Sequence, residues 1–135
     1  MNRLAVALPD LRTWEDICAI DELLPATGVC ALVAGRQVAL VRTAVPDAVY
    51  AIGNFDPFSK AFVLSRGIVG DRDGVPKIAS PIYKQSFDLR TGQCLDDPRV
   101  RVPTFEVRIE RGRILVCREP RSGDSATMIG GPRGA

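Results

Sequence analysis

The sequence contains no histidine among its 135 residues. This absence excludes Ser-His-Asp and Cys-His catalytic groups, imidazole metal ligands, and the side chain that most often acts as a general base near neutral pH. The four cysteines form no Cys-x-x-Cys pair and lack the spacing of a zinc ribbon. Many enzyme classes and the common structural zinc sites are therefore excluded before any motif is considered.

The chain also lacks a strong charge imbalance and a long apolar segment. Eighteen basic and sixteen acidic residues give a net charge of +2, so neither a nucleic acid nor a membrane is expected as partner. The most apolar stretch, residues 29–41, is interrupted by Gly35, Arg36 and Gln37, which argues against a transmembrane helix. No apolar segment near the amino terminus has the length of a secretory signal. We therefore expect a cytoplasmic protein whose cysteines are free thiols.

Short apolar runs separated by turn residues predict an all-β fold, and 135 residues suffice for one domain with a single core. The clearest hairpins centre on residues 34–36 and on Arg111-Gly112, because these residues favour tight turns between apolar strands. The alternation over residues 100–110 predicts one continuous strand. Four of its side chains are expected to face the core: Val102, Phe105, Val107 and Ile109.

Helix and loop signals complete the predicted fold. The only expected helix is a single turn over residues 22–24, with Asp21 as its N-cap. Turn residues across 54–74 and across 80–85 indicate two irregular loops inserted between short strands. The prediction is a small antiparallel β-barrel or sandwich with a two-loop insertion and very little helix.

Composition divides the chain into a flexible leader over residues 1–11, a folded domain over residues 12–118 and a disordered tail over residues 119–135. The tail is rich in Pro, Arg, Ser, Gly and Ala, which bury too little apolar surface to pack. One folded domain is therefore expected, with both ends of the chain outside its core.

The two loops, followed by Phe87-Asp88-Leu89-x-Thr91-Gly92, resemble a Rieske domain. In that family the first loop carries Cys-x-His and the second carries Cys-Pro-x-His, and together they hold a two-iron two-sulfur cluster. The resemblance aligns the first pair of ligands with Asp56 and Phe58, and the second pair with Ser80 and Tyr83. Phe58 has no lone pair, and hydroxyls or a single carboxylate are poor substitutes for thiolate. The resemblance therefore implies a Rieske fold without its cluster, with no metal ligand and no catalytic residue.

A longer series of motifs is similar to the small subunit of assimilatory NAD(P)H-dependent nitrite reductase, over about residues 12–118. The series runs Trp14-x-x-Ile17-Cys18, Leu24-Pro25-x-x-Gly28-Val29, Asn54-x-Asp56-Pro57-Phe58, Val63-Leu64-Ser65-Arg66-Gly67, Ala79-Ser80-Pro81 and Phe87-Asp88-Leu89. The resemblance implies a non-catalytic subunit that supports a large chain, which reduces nitrite to ammonium in the cytoplasm. FAD, an iron–sulfur cluster and sirohaem are expected in that partner, and no cofactor is expected here. The alternative is a free-standing, metal-free Rieske-fold module that binds another cytosolic protein.

The segment Ser65-Arg66-Gly67 is the first candidate for contact with the large subunit. An arginine held in an ordered loop beside a glycine presents a planar guanidinium group to a carboxylate or phosphate. In the alternative interpretation, Arg66 forms an internal ion pair with Asp71 or Asp73.

The two loops themselves contain the other candidates. Phe58 and Phe62 either anchor the partner or fill the space that a cluster takes in relatives, because aromatic side chains suit both roles. Lys84 either contacts the partner or is simply solvated. Asp56, Ser80 and Tyr83 either form a polar site for the partner or hydrogen-bond to one another and to nearby backbone, as buried polar groups must find partners.

Overall fold

The structure, a computed structural model, describes residues 13–121, and antiparallel strands account for most of its regular structure. The strands are β1 (Trp14–Ala19), β2 (Thr27–Val33), β3 (Arg36–Thr43), β4 (Ala48–Gly53), β5 (Phe55–Asp56), β6 (Ala61–Phe62), β7 (Ile68–Arg72), β8 (Val75–Ala79), β9 (Ser86–Asp88), β10 (Thr104–Phe105), β11 (Val107–Glu110) and β12 (Arg113–Cys117). The helices of the described residues are two 3-10 turns, Ile20–Glu22 and Leu64–Arg66. The prediction of an all-β fold with very little helix is confirmed.

A central sheet of four strands, in the order β10-β4-β3-β2, separates two cores. On one face of β3, Ala39 shares a core with Phe87 of β9, within the sheet β7-β8-β9. On the opposite face, Leu40 shares a core with Ile114 of β12, within the sheet β1-β12-β11. The run Val38–Val41 is apolar without alternation because β3 is buried on both faces. The single core expected from chain length is thus divided in two.

Three hairpin turns place their residues in the left-handed region of backbone conformation. The φ angles are 51° and 80° in Ala34-Gly35, 53° and 86° in Asp73-Gly74, and 52° and 75° in Arg111-Gly112. Two-residue turns of this kind match the twist of the strands that they connect. The hairpins predicted around residues 34–36 and at Arg111-Gly112 are therefore confirmed, with the first turn limited to two residues.

The helical turn predicted over residues 22–24 was placed too late in the sequence. The 3-10 turn spans Ile20–Glu22, its N-cap residue is Ala19, and Asp21 lies inside it instead of capping it. Leu23 follows in an extended conformation and is completely buried in the core beside β12. Burial of Leu23 therefore overrides the local capping preference of Asp21.

The continuous strand predicted over residues 100–110 was also wrong. The structure has two short strands there, since β10 pairs with β4 while β11 pairs with β12. Val102 and Phe105 are both buried, although they have opposite parity in a regular strand. Ile109 is 45% exposed, so its prediction as a core residue was wrong as well. The chain passes here from one sheet to another, which alternation alone does not reveal.

Contacts with the folded domain extend slightly past the boundary predicted at its carboxyl-terminal end. The Arg118 N–H donates to the Thr13 carbonyl oxygen at 2.9 Å, and the Arg121 N–H donates to that of Thr104 at 2.9 Å. Contacts with the domain thus continue past the predicted boundary at residue 118. The predicted leader over residues 1–11 and residues 122–135 of the predicted tail lie outside the described residues. Between residues 13 and 121, no helix has the length and apolar character needed to cross a membrane.

Candidate functional site

The first loop follows β4 and is organised around Asp56, which is fully buried. Its Oδ1 atom accepts a hydrogen bond from the Phe58 N–H at 2.9 Å, and its Oδ2 atom accepts one from the Ser59 hydroxyl at 2.8 Å. The Lys60 N–H donates to the Asp56 carbonyl oxygen at 2.7 Å and closes the turn. The sequence favours this turn because aspartate bonds nearby backbone and Pro57 fixes φ. A buried carboxyl group therefore forms the base of the first loop.

The second loop connects β8 to β9 and is organised in the same way around Ser80, which is also fully buried. The Ser80 hydroxyl oxygen accepts a hydrogen bond from the Ile82 N–H at 3.2 Å. The Lys84 N–H donates to the Ser80 carbonyl oxygen at 3.1 Å, and the Ser80 N–H donates to that of Gln85 at 2.9 Å. A buried hydroxyl group therefore forms the base of the second loop.

A hydrogen bond joins the two loops at their bases. The Ser80 hydroxyl donates to the Asp56 Oδ2 atom at 2.6 Å. These two positions are the ones that the Rieske resemblance aligns with the cysteine ligands. Tyr83 stands apart, because its side chain is 60% exposed and no hydrogen bond within the described part of the chain links it to this pair. The hydrogen bonding expected among these polar residues is thus present between Asp56 and Ser80 and does not include Tyr83.

Phe58 points toward the interior and packs on the core shared by β3 and β9. Its ring lies 6.2 Å from the ring of Phe87, measured between centroids, with a tilt of 50°. Its side chain is half-buried. The structure therefore gives Phe58 a packing role under the loops.

The donors at the cluster-ligand positions do not fit a two-iron two-sulfur cluster. Both carboxyl oxygens of Asp56 already accept hydrogen bonds, and Phe58 offers no donor atom to iron. Residues 13–121 contain no group of three or more His, Cys, Asp or Glu side chains arranged to hold a metal ion. The side chains at these positions therefore do not supply the thiolate and imidazole ligands that such a cluster uses.

The four cysteines are free thiols and lie outside both loops. Cys18 and Cys117 belong to the neighbouring strands β1 and β12, Cys30 belongs to β2, and Cys94 is buried in the core beside β9. Burial raises the pKa of the Cys18 thiol, and the nearby carboxylate of Glu22 raises it further. Burial likewise raises the pKa of the Cys94 thiol. Raised pKa values keep these two thiols protonated and weaken them as metal ligands or nucleophiles.

Asn54 positions the 3-10 turn that carries the candidate interface segment. Its side chain is buried, and its Oδ1 atom accepts a hydrogen bond from the Ser65 N–H at 2.7 Å. The Leu64 N–H donates to the Asn54 carbonyl oxygen at 3.1 Å, and the Asn54 Nδ2 donates to the Gln37 Oε1 atom at 3.0 Å. The sequence indicated only a local turn at Asn54, and no pattern pointed to contacts so distant along the chain. Asn54 therefore acts as a positioning residue that the sequence did not identify.

The three residues of Ser65-Arg66-Gly67 have different environments. Ser65 is buried, and its N–H is held by Asn54. Arg66 is exposed at the surface. Gly67 lies so close to β8 that a Cβ atom there would be 2.2 Å from the Ala79 carbonyl oxygen. Two of these residues therefore fix the backbone, and only Arg66 offers a charged group to a partner.

The predicted alternative, an ion pair between Arg66 and Asp71 or Asp73, is absent from the described residues. In the β7–β8 hairpin, Ile68 pairs with Ala79 at the end beside Arg66. The strand then carries Asp71 roughly 10 Å away from Ile68, and Asp73 lies further on, in the turn. The sequence indicated a loop across these residues and missed β7, because Gly70 and Asp71 are rare inside strands. The hairpin therefore separates the guanidinium group from both carboxylates.

The motif Phe87-Asp88-Leu89-x-Thr91-Gly92 stabilises a turn after β9. Burial raises the pKa of Asp88, but hydrogen bonds from the side chain and backbone of Arg90 hold it below its ordinary value overall. Gly92 has a φ of 82°, and a Cβ atom there would lie 2.0 Å from the Val102 carbonyl oxygen. These contacts give the motif a structural role beside the second loop.

An open groove with a volume of about 640 Å³ lies between β1 and β2, the edge strands of two sheets. Two carboxylates in its lining already have partners, since Glu15 pairs with Arg118 and Asp16 pairs with Arg113. None of the predicted interface residues lines this groove. The candidate site is therefore the surface formed by the two loops and Arg66.

Comparisons with known proteins place this arrangement in a family. The model of the Rieske-like [2Fe-2S] domain family matches residues 13–117. The nitrite reductase (NADH) small subunit of Salmonella typhimurium is 46% identical over 99 residues, which are 73% of this chain and 92% of that protein. A candidate NADH-dependent nitrite reductase small subunit of Mycobacterium tuberculosis has a solved structure with a TM-score of 0.77 and 52% identity, covering 82% of this chain and 98% of that one.

A third similarity concerns part of a longer protein. The nitrite reductase [NAD(P)H] large subunit of Klebsiella oxytoca is 42% identical over 110 residues, which are 82% of this chain and 11% of that protein. The family model and the full-length relatives together span nearly the whole described domain. The chain therefore belongs to the Rieske-like domain family and, within it, to the nitrite reductase small subunits.

Proposed function

We propose that this chain is the non-catalytic small subunit of a cytoplasmic NAD(P)H nitrite reductase and that its partner is the large catalytic subunit. One observation carries the proposal, which is the 42% identical segment within the Klebsiella oxytoca large subunit itself. Covalent joining keeps two domains at a high effective concentration, which favours any contact between them. A small subunit encoded as a separate chain would make the same contact without the covalent link.

We assign the redox cofactors to the large subunit because this chain offers few side chains that could bind them. Reduction of nitrite to ammonium requires electron carriers, which we assign to the large subunit as FAD, an iron–sulfur cluster and sirohaem. This chain has no histidine, and its residues 13–121 hold no group of side chains suited to a metal. Its proposed contribution is to the assembly, stability or electron delivery of the large subunit.

The proposed contact surface is formed by Arg66 and Lys84, which are exposed. Arg66 leaves the 3-10 turn that Asn54 holds in place, so its guanidinium group starts from a fixed backbone. Ser65, Gly67 and Phe58 contribute by packing, and they support the surface from below. A preorganised cation loses less entropy when it binds a carboxylate.

The test is NAD(P)H-dependent nitrite reduction by the cognate large subunit, alone and with saturating amounts of this chain. We expect higher activity or a longer enzyme lifetime with the chain present, together with association of the two proteins. Arg66→Ala should leave the chain folded and raise the Kd of the complex about tenfold, as loss of a well-placed interface arginine does. An unchanged Kd would remove Arg66 from the interface.

The alternative function, a free-standing module for another cytosolic partner, predicts a different result in the same assay. The large subunit would work equally well alone, and the two chains would not associate. That outcome would leave the fold and family intact and would end the assignment to the enzyme complex.

Iron analysis tests the proposed absence of a cluster. We expect the purified chain to be colourless and to contain far less than one iron per molecule, even after anaerobic incubation with iron and sulfide. The reason is that Asp56 and Ser80 bond to each other and Phe58 carries no ligand atom. Iron near two atoms per chain with a Rieske-type electron paramagnetic resonance signal would contradict this prediction.

A further inference from the structure

The two loops are copies of one turn, although they are far apart in the sequence. The first is Asp56-Pro57-Phe58-Ser59-Lys60 and the second is Ser80-Pro81-Ile82-Tyr83-Lys84. In each turn, the side-chain oxygen of the first residue accepts the N–H of the third residue. In each turn, the N–H of the lysine donates to the carbonyl oxygen of the first residue. The Ser80–Asp56 hydrogen bond then ties the bases of the two turns together.

Each turn ends on a lysine in the left-handed backbone region, with a φ of 60° at Lys60 and 69° at Lys84. This region is costly for residues that have a Cβ atom, and glycine would adopt it freely. In the three hairpins with such angles, a glycine follows at the next position, but no glycine follows either lysine. Both turns therefore place a charged side chain at a backbone position that glycine would occupy at lower cost.

These lysines lie where positive charge is uncompensated. Most arginines between residues 13 and 121 form an ion pair: Arg42, Arg72, Arg90, Arg99, Arg108, Arg113 and Arg118. By contrast, no ion pair within this range compensates Lys60, Lys84 or the nearby Arg66. The only acidic side chain in the two turns, Asp56, is buried and turned inward. The two turns themselves therefore carry no exposed negative charge.

Exposed apolar side chains lie close to both lysines in the sequence. Phe55 and Phe62 face each other across β5 and β6 in an edge-to-face contact, with 5.0 Å between ring centroids, and they are 41% and 54% exposed. In the second turn, Ile82 is 45% exposed and Tyr83 is 60% exposed. Exposed aromatic and aliphatic side chains grouped in this way are typical of a protein-binding surface.

We propose that Lys60 and Lys84 form a paired cationic site that binds an acidic surface with an apolar centre on the large subunit. This inference rests on the proposed function and adds the chemistry of the partner's surface. The carboxylates of the partner meet the two ammonium groups, and its apolar centre packs on the Phe55–Phe62 pair. The Ser80–Asp56 hydrogen bond ties the two turns together, so that the two cations recognise two negative charges and not one.

The test measures association of the large subunit, with its cofactors, with the wild-type chain and with a Lys60→Glu/Lys84→Glu double variant. We expect the association rate of the double variant at low salt to fall about tenfold or more, because electrostatic steering is reversed. The difference should shrink at about 0.5 M salt, where exposed charges are screened. Arg111→Glu is the control for the effect of a single charge reversal, since Arg111 is an exposed cation of positive φ beside Gly112, in a hairpin outside the two loops.

A second variant, Lys60→Gly/Lys84→Gly, removes both charges and suits the backbone of both turns. It should unfold at the wild-type temperature or above and still associate several-fold more slowly. If both double variants bind as fast as the wild type, the paired site is refuted while the subunit assignment stands. If each charge reversed in the double Glu variant slows binding no more than the single reversal in Arg111→Glu, general charge explains the effect and the site is refuted. If the wild-type chain itself does not bind, the proposed function fails and the site fails with it.

Discussion

Replacing Asp56 with alanine is expected to lower the free energy of unfolding by about 3–5 kcal/mol, since hydrogen bonds from three donors are lost at once. The Phe58 N–H and the Ser80 hydroxyl would remain buried without an acceptor. Each unsatisfied buried donor costs about 1–3 kcal/mol. The expected loss of stability therefore exceeds the cost of the small cavity that the missing carboxyl group would leave. The loops would separate at their bases, because Asp56 is the link between them.

Chemical denaturation and the thermal midpoint of unfolding measure this effect directly. A loss of 3 kcal/mol corresponds to a fall of roughly 10 °C or more for a domain of this size. Ser59→Ala is the control, because it removes one partly exposed donor to the same carboxyl group and should cost about 1 kcal/mol or less. Equal effects for Asp56→Ala and Ser59→Ala would mean that the bond between the loops contributes little to stability.

The pairing of Asp56 with Ser80 shows how far the sequence predicts this site. The Rieske resemblance aligned both residues with ligand positions, and the absence of histidine already excluded the family's full ligand set. Their hydrogen bond spans 24 residues of sequence, and no local pattern carries such information. The repeat of x-Pro-x-x-Lys in the two loops was visible in the sequence, but its meaning depends on the left-handed backbone at both lysines.

The fold was predictable wherever local chemistry decided the conformation. Ala34-Gly35 and Arg111-Gly112 form their turns because the backbone must adopt positive φ within two residues. Predictions failed where packing at a distance decided the outcome. Leu23 is drawn into the core beside β12, residues 104–110 divide between two sheets, and β7 forms opposite β8 despite Gly70. Short segments of a small β protein derive most of their conformation from the strands beside them.

The glycine of Ser65-Arg66-Gly67 carries the second large expected effect. Gly67→Ala should lower the free energy of unfolding by about 3 kcal/mol, since forced contacts in a packed region cost 1–3 kcal/mol or more. A Cβ atom would lie 2.2 Å from the Ala79 carbonyl oxygen and 2.9 Å from the Ile78 Cγ1 atom. The backbone of β8 cannot yield, because Ile78 is completely buried.

Gly70→Ala is the matched control in β7, the strand that follows Gly67, because the nearest atom to its added Cβ is the flexible Lys77 Cε at 3.8 Å. This variant should stay within about 0.5 kcal/mol of the wild type, as surface substitutions usually do. Arg66→Ala should be equally neutral for stability and yet weaken binding to the large subunit. Together the three variants separate two properties of one segment. One is the need for a glycine at residue 67, which lies against β8, and the other is the proposed contact of the Arg66 guanidinium group with the partner. If Gly67→Ala proved as stable as Gly70→Ala, the close approach to β8 would not hold Arg66 in place, and its orientation would depend on Asn54 alone.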